Sequence, residues 1–276
     1  MSQRTITKLI AAQATSDGAG VKLYRSIGSA AQPELDPFLL LDEFFSDDAA
    51  DYIAGFPDHP HRGFETVTYM LDGTMRHQDN TGNGGSLGPG GVQWMTAGRG
   101  IIHSEMPEQV AGRMRGFQLW VNLPAALKMC APRYQNLEPG EIPEVVTDAG
   151  VRIRVIAGQS ENVTGAVDGI SVDPLYLDIT VPADGTFRQA IAAGHAAFAY
   201  GIEGEATLGG KAMPGRHLAV LNDGDELVIS AGPKPVRLLL IAARSLNEPI
   251  VRYGPFVMNS RAEIEDAVRD YQSGRF

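Results

Sequence analysis

The chain has 276 residues, of which 43% are hydrophobic and 20% charged, the composition of a globular protein with a sizeable core. Its single cysteine excludes an internal disulfide and any multi-cysteine zinc or iron–sulfur site. The formal net charge of −10 argues against sequence-independent binding to a phosphate backbone.

The first thirty residues contain no continuous apolar run of the kind found in secretory signal peptides. No stretch of about 18 apolar residues is present to span a membrane. We therefore expect a cytoplasmic protein with no membrane partner and no direct contact with nucleic acid.

Short runs of strand-forming residues recur along most of the chain, separated by turns rich in glycine and proline. The predicted strands cover residues 21–25, 36–45, 65–71, 92–96, 101–105, 117–123, 175–181 and 236–243. The Asp72-Gly73 pair and the segment 198–206 each predict a β-hairpin. Many short strands with frequent turns indicate an all-β fold built from sandwiches or barrels, here two of them.

Only the C-terminal end has a helical pattern. Ser260 and Glu263 have the spacing of a capping box. The apolar stripe that follows consists of Ile264, Ala267, Val268 and Tyr271. This pattern predicts one helix that packs its stripe against a sheet.

The segment 124–143 contains four prolines and is typical of a crossover between two halves. We place the domain boundary within it. The prediction is an N-terminal domain at residues 1–135 and a C-terminal domain at residues 136–276.

Two short motifs share an i, i+2 spacing: His59 with His61, and His103 with Glu105. On an extended strand such residues point to the same face, so each motif offers two side chains in one direction. Three imidazoles and one carboxylate suit a borderline divalent transition metal. Either motif alone would be more typical of loop or core residues, but both occur in a chain with only six histidines. We therefore interpret residues 59–105 as the functional centre.

The segment 55–65, Gly-Phe-Pro-Asp-His-Pro-His-Arg-Gly-Phe-Glu, resembles the first cupin motif. The second cupin motif should supply a histidine after Pro-x-Gly, but Trp94 stands at that position. Longer segments closely resemble the pirin family of cupins, and they cover residues 36–42, 59–69, 93–107, 118–124 and 254–259. The resemblance covers most of the chain and is loose only between residues 140 and 230.

This resemblance implies a bicupin, that is, an all-β chain of two stacked cupin β-barrel (jelly-roll) domains with a C-terminal α-helix. In pirins one divalent transition metal, usually Fe(II), lies in the N-terminal barrel. The matching ligands here would be His59, His61, His103 and Glu105. Zn, Mn, Ni and Co remain alternatives, because the same donors accept several ions.

The C-terminal barrel is expected to be metal-free, with His195 and His217 in structural roles, because one donor alone makes a poor site. His77 is assigned no role.

Glu105 and Glu65 are the candidate catalytic carboxylates, since either could take a proton from a substrate hydroxyl. By analogy with other cupins Glu65 could also be a metal ligand. By analogy with pirins that ligand is Glu105, and Glu65 is expected to lie behind it and orient an imidazole N–H.

The resemblance implies two alternative functions. One is an iron-dependent dioxygenase that acts on flavonols such as quercetin, with a small aromatic substrate and dioxygen as partners. The other is a redox-sensing regulatory protein that binds a partner protein, because eukaryotic pirins are regarded as transcription co-regulators. A zinc or manganese isomerase, as in other cupins, is a third alternative on ligand chemistry.

Overall fold

A computed structural model of the chain describes residues 2–109 and 111–276. β-Strands dominate it, and one α-helix, α1 (Arg261–Gln272), lies at the C-terminal end. The predicted all-β fold with a terminal helix is therefore confirmed. No helix within the described ranges combines the length and the apolar character needed to cross a membrane.

The first twelve strands are β1 (Ile6–Ala11), β2 (Gln13–Asp17), β3 (Val21–Ile27), β4 (Phe38–Ser46), β5 (Phe56–His61), β6 (Phe64–Asp72), β7 (Met75–Asp79), β8 (Gly84–Leu87), β9 (Val92–Thr96), β10 (Ile101–Pro107), β11 (Met114–Asn122) and β12 (Arg133–Leu137). The later strands are β13 (Glu144–Val146), β14 (Arg152–Ala157), β15 (Gln159–Ser160), β16 (Val163–Thr164), β17 (Leu175–Val181), β18 (Thr186–Ala190), β19 (His195–Glu203), β20 (Glu205–Leu208), β21 (Lys211–Pro214), β22 (His217–Leu221), β23 (Glu226–Ala231), β24 (Val236–Arg244), β25 (Val251–Tyr253) and β26 (Phe256–Met258). Short 3-10 turns lie at Ala49–Asp51, Ala125–Leu127 and Pro139–Glu141.

The chain forms two compact units, and both are discontinuous in sequence. The histidine unit comprises Gln13–Pro139 and Leu246–Phe276, and the second unit comprises the chain up to Ala12 and Gly140–Ser245. The predicted division has a single boundary, between residues 135 and 136. The observed one differs from it near both ends of the chain, because the chain up to Ala12 belongs to the second unit and Leu246–Phe276 to the histidine unit. The reason is that β1 pairs with β22 at the edge of a sheet in the second unit, while α1 packs on the β25–β26 hairpin of the histidine unit.

Each unit contains one seven-stranded and one four-stranded antiparallel sheet. In the histidine unit their orders are β12-β9-β6-β11-β4-β3-β2 and β5-β10-β7-β8. In the second unit they are β1-β22-β19-β24-β17-β14-β13 and β18-β23-β20-β21. Two antiparallel sheets that enclose one core form a jelly-roll barrel, so the chain contains this architecture twice.

Aliphatic side chains from both sheets fill the second unit. Leu177 and Leu240 come from its seven-stranded sheet, and Leu227 and Ile229 come from β23 of its four-stranded sheet. All four are fully buried. β23 has the same place in its sheet that β10 has in the histidine unit. Apolar side chains therefore occupy this inner face, and they have no atoms that could bind a metal.

Two turns predicted as hairpins are instead crossings between sheets. Asp72-Gly73 connects β6 of the seven-stranded sheet with β7 of the four-stranded sheet. Gly204, at φ +74°, connects β19 with β20 in the same way in the second unit. The hairpin predictions were wrong, although both turns are present, because in a jelly roll a tight turn can pass the chain to the other sheet.

The C-terminal helix begins as predicted. Ser260 is its N-cap, and the Ser260 hydroxyl accepts a hydrogen bond from the Glu263 backbone N–H at 3.3 Å. Ile264 and Ala267 are buried against the β25–β26 hairpin. Tyr271 is 39% exposed, so the buried stripe is narrower than the sequence pattern predicts.

Candidate metal centre

Neighbouring strands β5 and β10 bring three histidines together. His59 and His61 lie two residues apart on β5, and His103 on β10 is paired directly with His59 across the antiparallel ladder. One ring nitrogen from each lies within 4.8 Å of the others, and the ring centroids are 4.5–5.0 Å apart. The three imidazoles could therefore hold one metal ion.

The end of β5 is fixed by a glycine that no other residue could replace without strain. Gly63 has φ +88°, and a Cβ added there would lie 2.0 Å from the Val257 carbonyl oxygen. Its backbone N–H donates to the Gly98 carbonyl at 2.8 Å, in the turn between β9 and β10. This close approach ties the strand of His61 to the turn that leads into the strand of His103.

The hydrogen bonding of the three imidazoles is what a metal site requires. His61 and His103 are 2% and 1% exposed, and within the described chain none of their ring nitrogens has a hydrogen-bond partner. Buried polar atoms without hydrogen-bond partners need an explanation, and the binding of a metal ion would provide one. The Nδ1 of half-buried His59 lies 2.8 Å from the Pro57 carbonyl, so Nδ1 carries the proton and Nε2 keeps a lone pair.

Burial keeps the imidazoles of His61 and His103 neutral. It lowers the pKa of His61 well below its ordinary value, and the neighbouring His103 and His59 act in the same direction. Burial also lowers the pKa of His103 to about 4, although the nearby Glu105 opposes the shift. A neutral imidazole is the form that binds a metal ion, so these residues fit the group that the sequence predicts.

Glu105 lies on β10 two residues beyond His103, but it is not a member of the three-histidine group. It is 3% exposed. Its Oε1 accepts a hydrogen bond from the Thr68 hydroxyl at 2.8 Å, and its Oε2 accepts one from the Gln118 side chain at 2.7 Å. Each carboxylate oxygen has a second lone pair, so ligation by Glu105 remains compatible with these bonds and stays a prediction.

Glu65 does not occupy the predicted position behind an imidazole. Its Oε1 accepts a hydrogen bond from the Thr96 hydroxyl at 2.6 Å. Side chains alternate along β6, so Glu65 lies on the opposite face from Thr68, which reaches Glu105, and from Phe64, which contacts His61. The structure therefore does not support Glu65 as a metal ligand, as a partner of an imidazole or as a catalytic base. Burial raises the pKa of this carboxyl.

A cavity of about 460 Å³ adjoins the histidines. Its apolar lining comprises Leu23, Leu40, Phe44, Phe56 and Trp120. His59 and His61 also line it, as does Gln118, the partner of Glu105. The arrangement suits a flat, largely apolar ligand with a polar group directed at the imidazoles.

Sequence reasoning missed the residues that support Glu105. Thr68 and Gln118 are cross-strand partners on β6 and β11, opposite the sheet that carries the histidines. The Trp120 indole N–H donates to the Gln118 side-chain oxygen at 3.2 Å, and the Trp120 ring lies 5.3 Å from the His61 ring. The i, i+2 spacing of Gln118 and Trp120 was the available signal, because it places both on one strand face.

The other histidines lie apart from the three-histidine group. His77 is buried on β7, where it pairs with Glu105 across the ladder and stacks on Tyr134 at 5.9 Å. In the second unit the Nδ1 of His217 lies 2.9 Å from the Gly215 carbonyl, and His195 lies 3.8 Å from the Asp173 carboxylate.

Two jelly-roll barrels in one chain, one of them with a three-histidine cluster, define a bicupin. The family model described as Pirin matches residues 20–121, and the model described as Pirin C-terminal cupin domain matches residues 176–276. The chain belongs to the pirin family.

Relatives match over the full length of the chain. A pirin-like protein of Caulobacter vibrioides is 50% identical over 277 residues, which is 100% of both chains. A Pseudomonas aeruginosa protein, provisionally named as a quercetin 2,3-dioxygenase, is also 50% identical, over 98% of this chain and 97% of its own. The crystal structure of a quercetin 2,3-dioxygenase from Acinetobacter baumannii is 33% identical, with a TM-score of 0.91 over 100% of this chain and 99% of its own.

Proposed function

We propose that the protein is a metal-dependent dioxygenase that acts on a flavonol such as quercetin. The observation that carries the proposal is that two histidines of the three-histidine group, His59 and His61, line the apolar-walled cavity of about 460 Å³. A flavonol is flat, aromatic and rich in oxygen, and the cavity offers flat apolar walls together with polar groups. The names of the Pseudomonas and Acinetobacter relatives support the same reaction.

The metal is proposed to be Fe(II), with Zn, Mn, Ni and Co as the ions that the same donors could accept. His59, His61 and His103 would hold it, with Glu105 as the fourth ligand. When bound, the metal supplies Lewis acidity and a path for electrons between substrate and dioxygen. In a dioxygenation both oxygen atoms of one O2 enter the products and the substrate provides all the electrons, so no external reductant is needed.

The protein's own residues would orient the substrate and receive its proton. Trp120 and Phe44 provide apolar surfaces for the aromatic rings and limit the access of water to the cavity. Glu105 is the proposed acceptor of the substrate hydroxyl proton. Gln118 and Thr68 keep its carboxylate in place by binding one oxygen each.

Oxygen uptake tests this function. Iron-loaded protein should consume dioxygen when quercetin is added, and the His61→Ala variant should not. His77→Ala is the matched control, because His77 is equally a buried histidine of the same unit but lies outside the three-histidine group. Uptake no faster in the wild type than in His61→Ala would refute the proposal.

A second function, redox-sensing regulation, is favoured by one structural observation. Arg62 directly follows His61, is 3% exposed, and binds Asp270 of α1 at 2.8 Å. Arg62 thus connects the strand that carries His61 with α1, a helix with several exposed charged side chains. Through this contact a change in the oxidation state of a metal at the histidines could alter the protein surface. Pull-downs with ferrous and ferric protein test this reading: different partners are expected for the two states in the wild type but not in Arg62→Met. Equal recovery from both states of the wild type would reject it.

A further inference from the structure

Arg252 lines the cavity beside the histidines but has no role in the function proposed so far. It lies on β25, is exposed, and its guanidinium carbon is 4.7 Å from the centroid of the Trp120 ring. The same indole lies 5.3 Å from the His61 ring. Arg252 and His61 therefore both contact Trp120, and a ligand of one or two fused rings could touch both.

The guanidinium of Arg252 keeps donors available. Its two hydrogen bonds, to the carbonyls of Gly254 and Leu39, are long at 3.4 Å each. Over residues 2–109 and 111–276 it forms no ion pair with a carboxylate. A guanidinium has five N–H donors in a fixed fork that fits a carboxylate or another oxygen anion, so most of this capacity is unused.

The acidic side chains that line the cavity already have another partner. Arg25 donates to both oxygens of buried Asp42, at 2.8 and 2.7 Å, and to Asp17 at 2.7 Å. One arginine is thereby shared by two carboxylates, and Arg252 is the second positive charge at this site. An incoming anion would not have to displace an existing carboxylate from Arg252.

We propose that Arg252 forms an anion-binding subsite in this cavity and that the ligand is a flat aromatic anion. A carboxylate or phenolate oxygen of the ligand binds the guanidinium, and its ring lies against the apolar wall that includes Trp120. A second oxygen at the other end faces the three histidines, and this contact alone rests on the proposed dioxygenase function. The subsite thus selects for substrates that carry a negative charge away from the reacting oxygen.

A pair of ligands that differ only in charge tests the subsite. 2-Naphthoate and 2-naphthamide have the same rings, but only the first is an anion at neutral pH. Their dissociation constants are measured by calorimetry under anaerobic conditions, on protein as purified and with its metal content determined. The wild type should bind the carboxylate about tenfold more tightly, the size expected for a charged hydrogen bond that is partly open to solvent.

Three variants make the result specific. Arg252→Gln should lose the preference for the carboxylate, whereas Arg252→Lys should keep part of it, because a lysine retains the charge without the fork. Arg261→Gln, which removes an exposed arginine of α1, alters the net charge equally and should leave the preference unchanged. The wild-type preference should also shrink at high salt, since the arginine is exposed.

Two results would overturn the subsite. One is an unchanged preference in Arg252→Gln at equal metal content, which would assign anion recognition to the histidine cluster or its metal. The other is no binding of either naphthalene to the wild type, which would exclude the cavity as a site for aromatic ligands.

Failure of the enzymatic proposal gives a different pattern. Arg252-dependent naphthoate binding without quercetin-dependent oxygen uptake would retain the subsite and reject the dioxygenase. Quercetin-dependent oxygen uptake, together with naphthoate binding that does not depend on Arg252, would retain the dioxygenase and reject the subsite.

Discussion

Gln118 donates a hydrogen bond from its side-chain nitrogen to Oε2 of Glu105 at 2.7 Å, across the interior of the histidine unit. Gln118 lies on β11 of the seven-stranded sheet and Glu105 on β10 of the four-stranded sheet, so this bond joins the two sheets beside the imidazoles. Thr68 makes the equivalent bond to the other oxygen of Glu105. The carboxylate is thus held in one orientation before any metal binds.

Removal of the Thr68 hydroxyl should weaken metal binding. If Glu105 is the fourth ligand, Thr68→Val frees one of its oxygens and lowers metal affinity about tenfold, the usual effect of losing a group that orients a ligand. Thr96→Val is the matched control. It removes a buried hydroxyl-to-carboxylate bond on the same sheet, but the carboxylate is Glu65, on the opposite face.

Metal affinity is measured by competition with a chelator, and thermal unfolding of the metal-free proteins checks that both variants fold. Equal losses of affinity in Thr68→Val and Thr96→Val would contradict the assignment of Glu105.

Elemental analysis of purified protein should reveal one transition metal ion per chain. His103→Ala should lose most of it, because two imidazoles that remain make a much weaker site. His77→Ala should retain it, since His77 lies outside the three-histidine group although it pairs with Glu105 on the neighbouring strand. Full metal content in His103→Ala would place the ion elsewhere in the chain.

Local sequence patterns predicted the parts of the fold that depend on local interactions. The predicted strand 175–181 coincides with β17, and the cap of α1 at Ser260 was found from a four-residue pattern. The convergence of His59, His61 and His103 was predictable because the i, i+2 spacing on a strand already fixes the direction of two side chains.

What the sequence could not reveal depends on contacts between residues far apart in the chain. Asp72-Gly73 has a hairpin signature, yet β6 pairs with β9 and β11 rather than with β7. No local pattern specifies which sheet the next strand will join. Glu105 points toward the site and Glu65 points away from it. This difference likewise depends on which face of each sheet lines the interior of the barrel. Arg252 reaches the cavity only through the packing of β25, more than 130 residues from Trp120 in the chain.

Arg62 should stabilise the packing of α1. Its guanidinium binds Asp270, donates to the Arg99 carbonyl, and lies 4.3 Å from the centroid of the Phe276 ring. Arg62→Met should lower the free energy of unfolding by about 2 kcal/mol, because it breaks an ion pair that is largely buried. The loss is limited because Asp270 keeps its bond to Arg275.

The corresponding drop in Tm is about 4–8 °C. Arg269→Met removes an arginine of the same helix that is paired with exposed Asp266, and it should change the Tm very little. Similar losses for the two variants would show that Arg62 contributes no more than a surface charge.

Because of Lys128, the stability of the histidine unit should change with pH in the alkaline range. Its ammonium is 1% exposed and donates to the Gly63 carbonyl, the Asn122 side chain and the Val257 carbonyl at 2.7–2.9 Å. Burial lowers its pKa from 10.5 to about 8. Between these values Lys128 is protonated in the unfolded chain but not in the folded one, so its contribution to the free energy of unfolding rises with pH.

This increase should amount to about 3 kcal/mol between pH 8 and 10.5, and it should be absent from Lys128→Met. Both tryptophans of the chain lie in the histidine unit, so denaturant unfolding followed by their fluorescence reports on the unit that contains Lys128. Lys234→Met, which removes an exposed lysine of the second unit, should retain the full pH dependence. Parallel pH profiles for wild type and Lys128→Met would mean that the buried ammonium titrates as it does in water, and that its three oxygen partners compensate for the lost hydration.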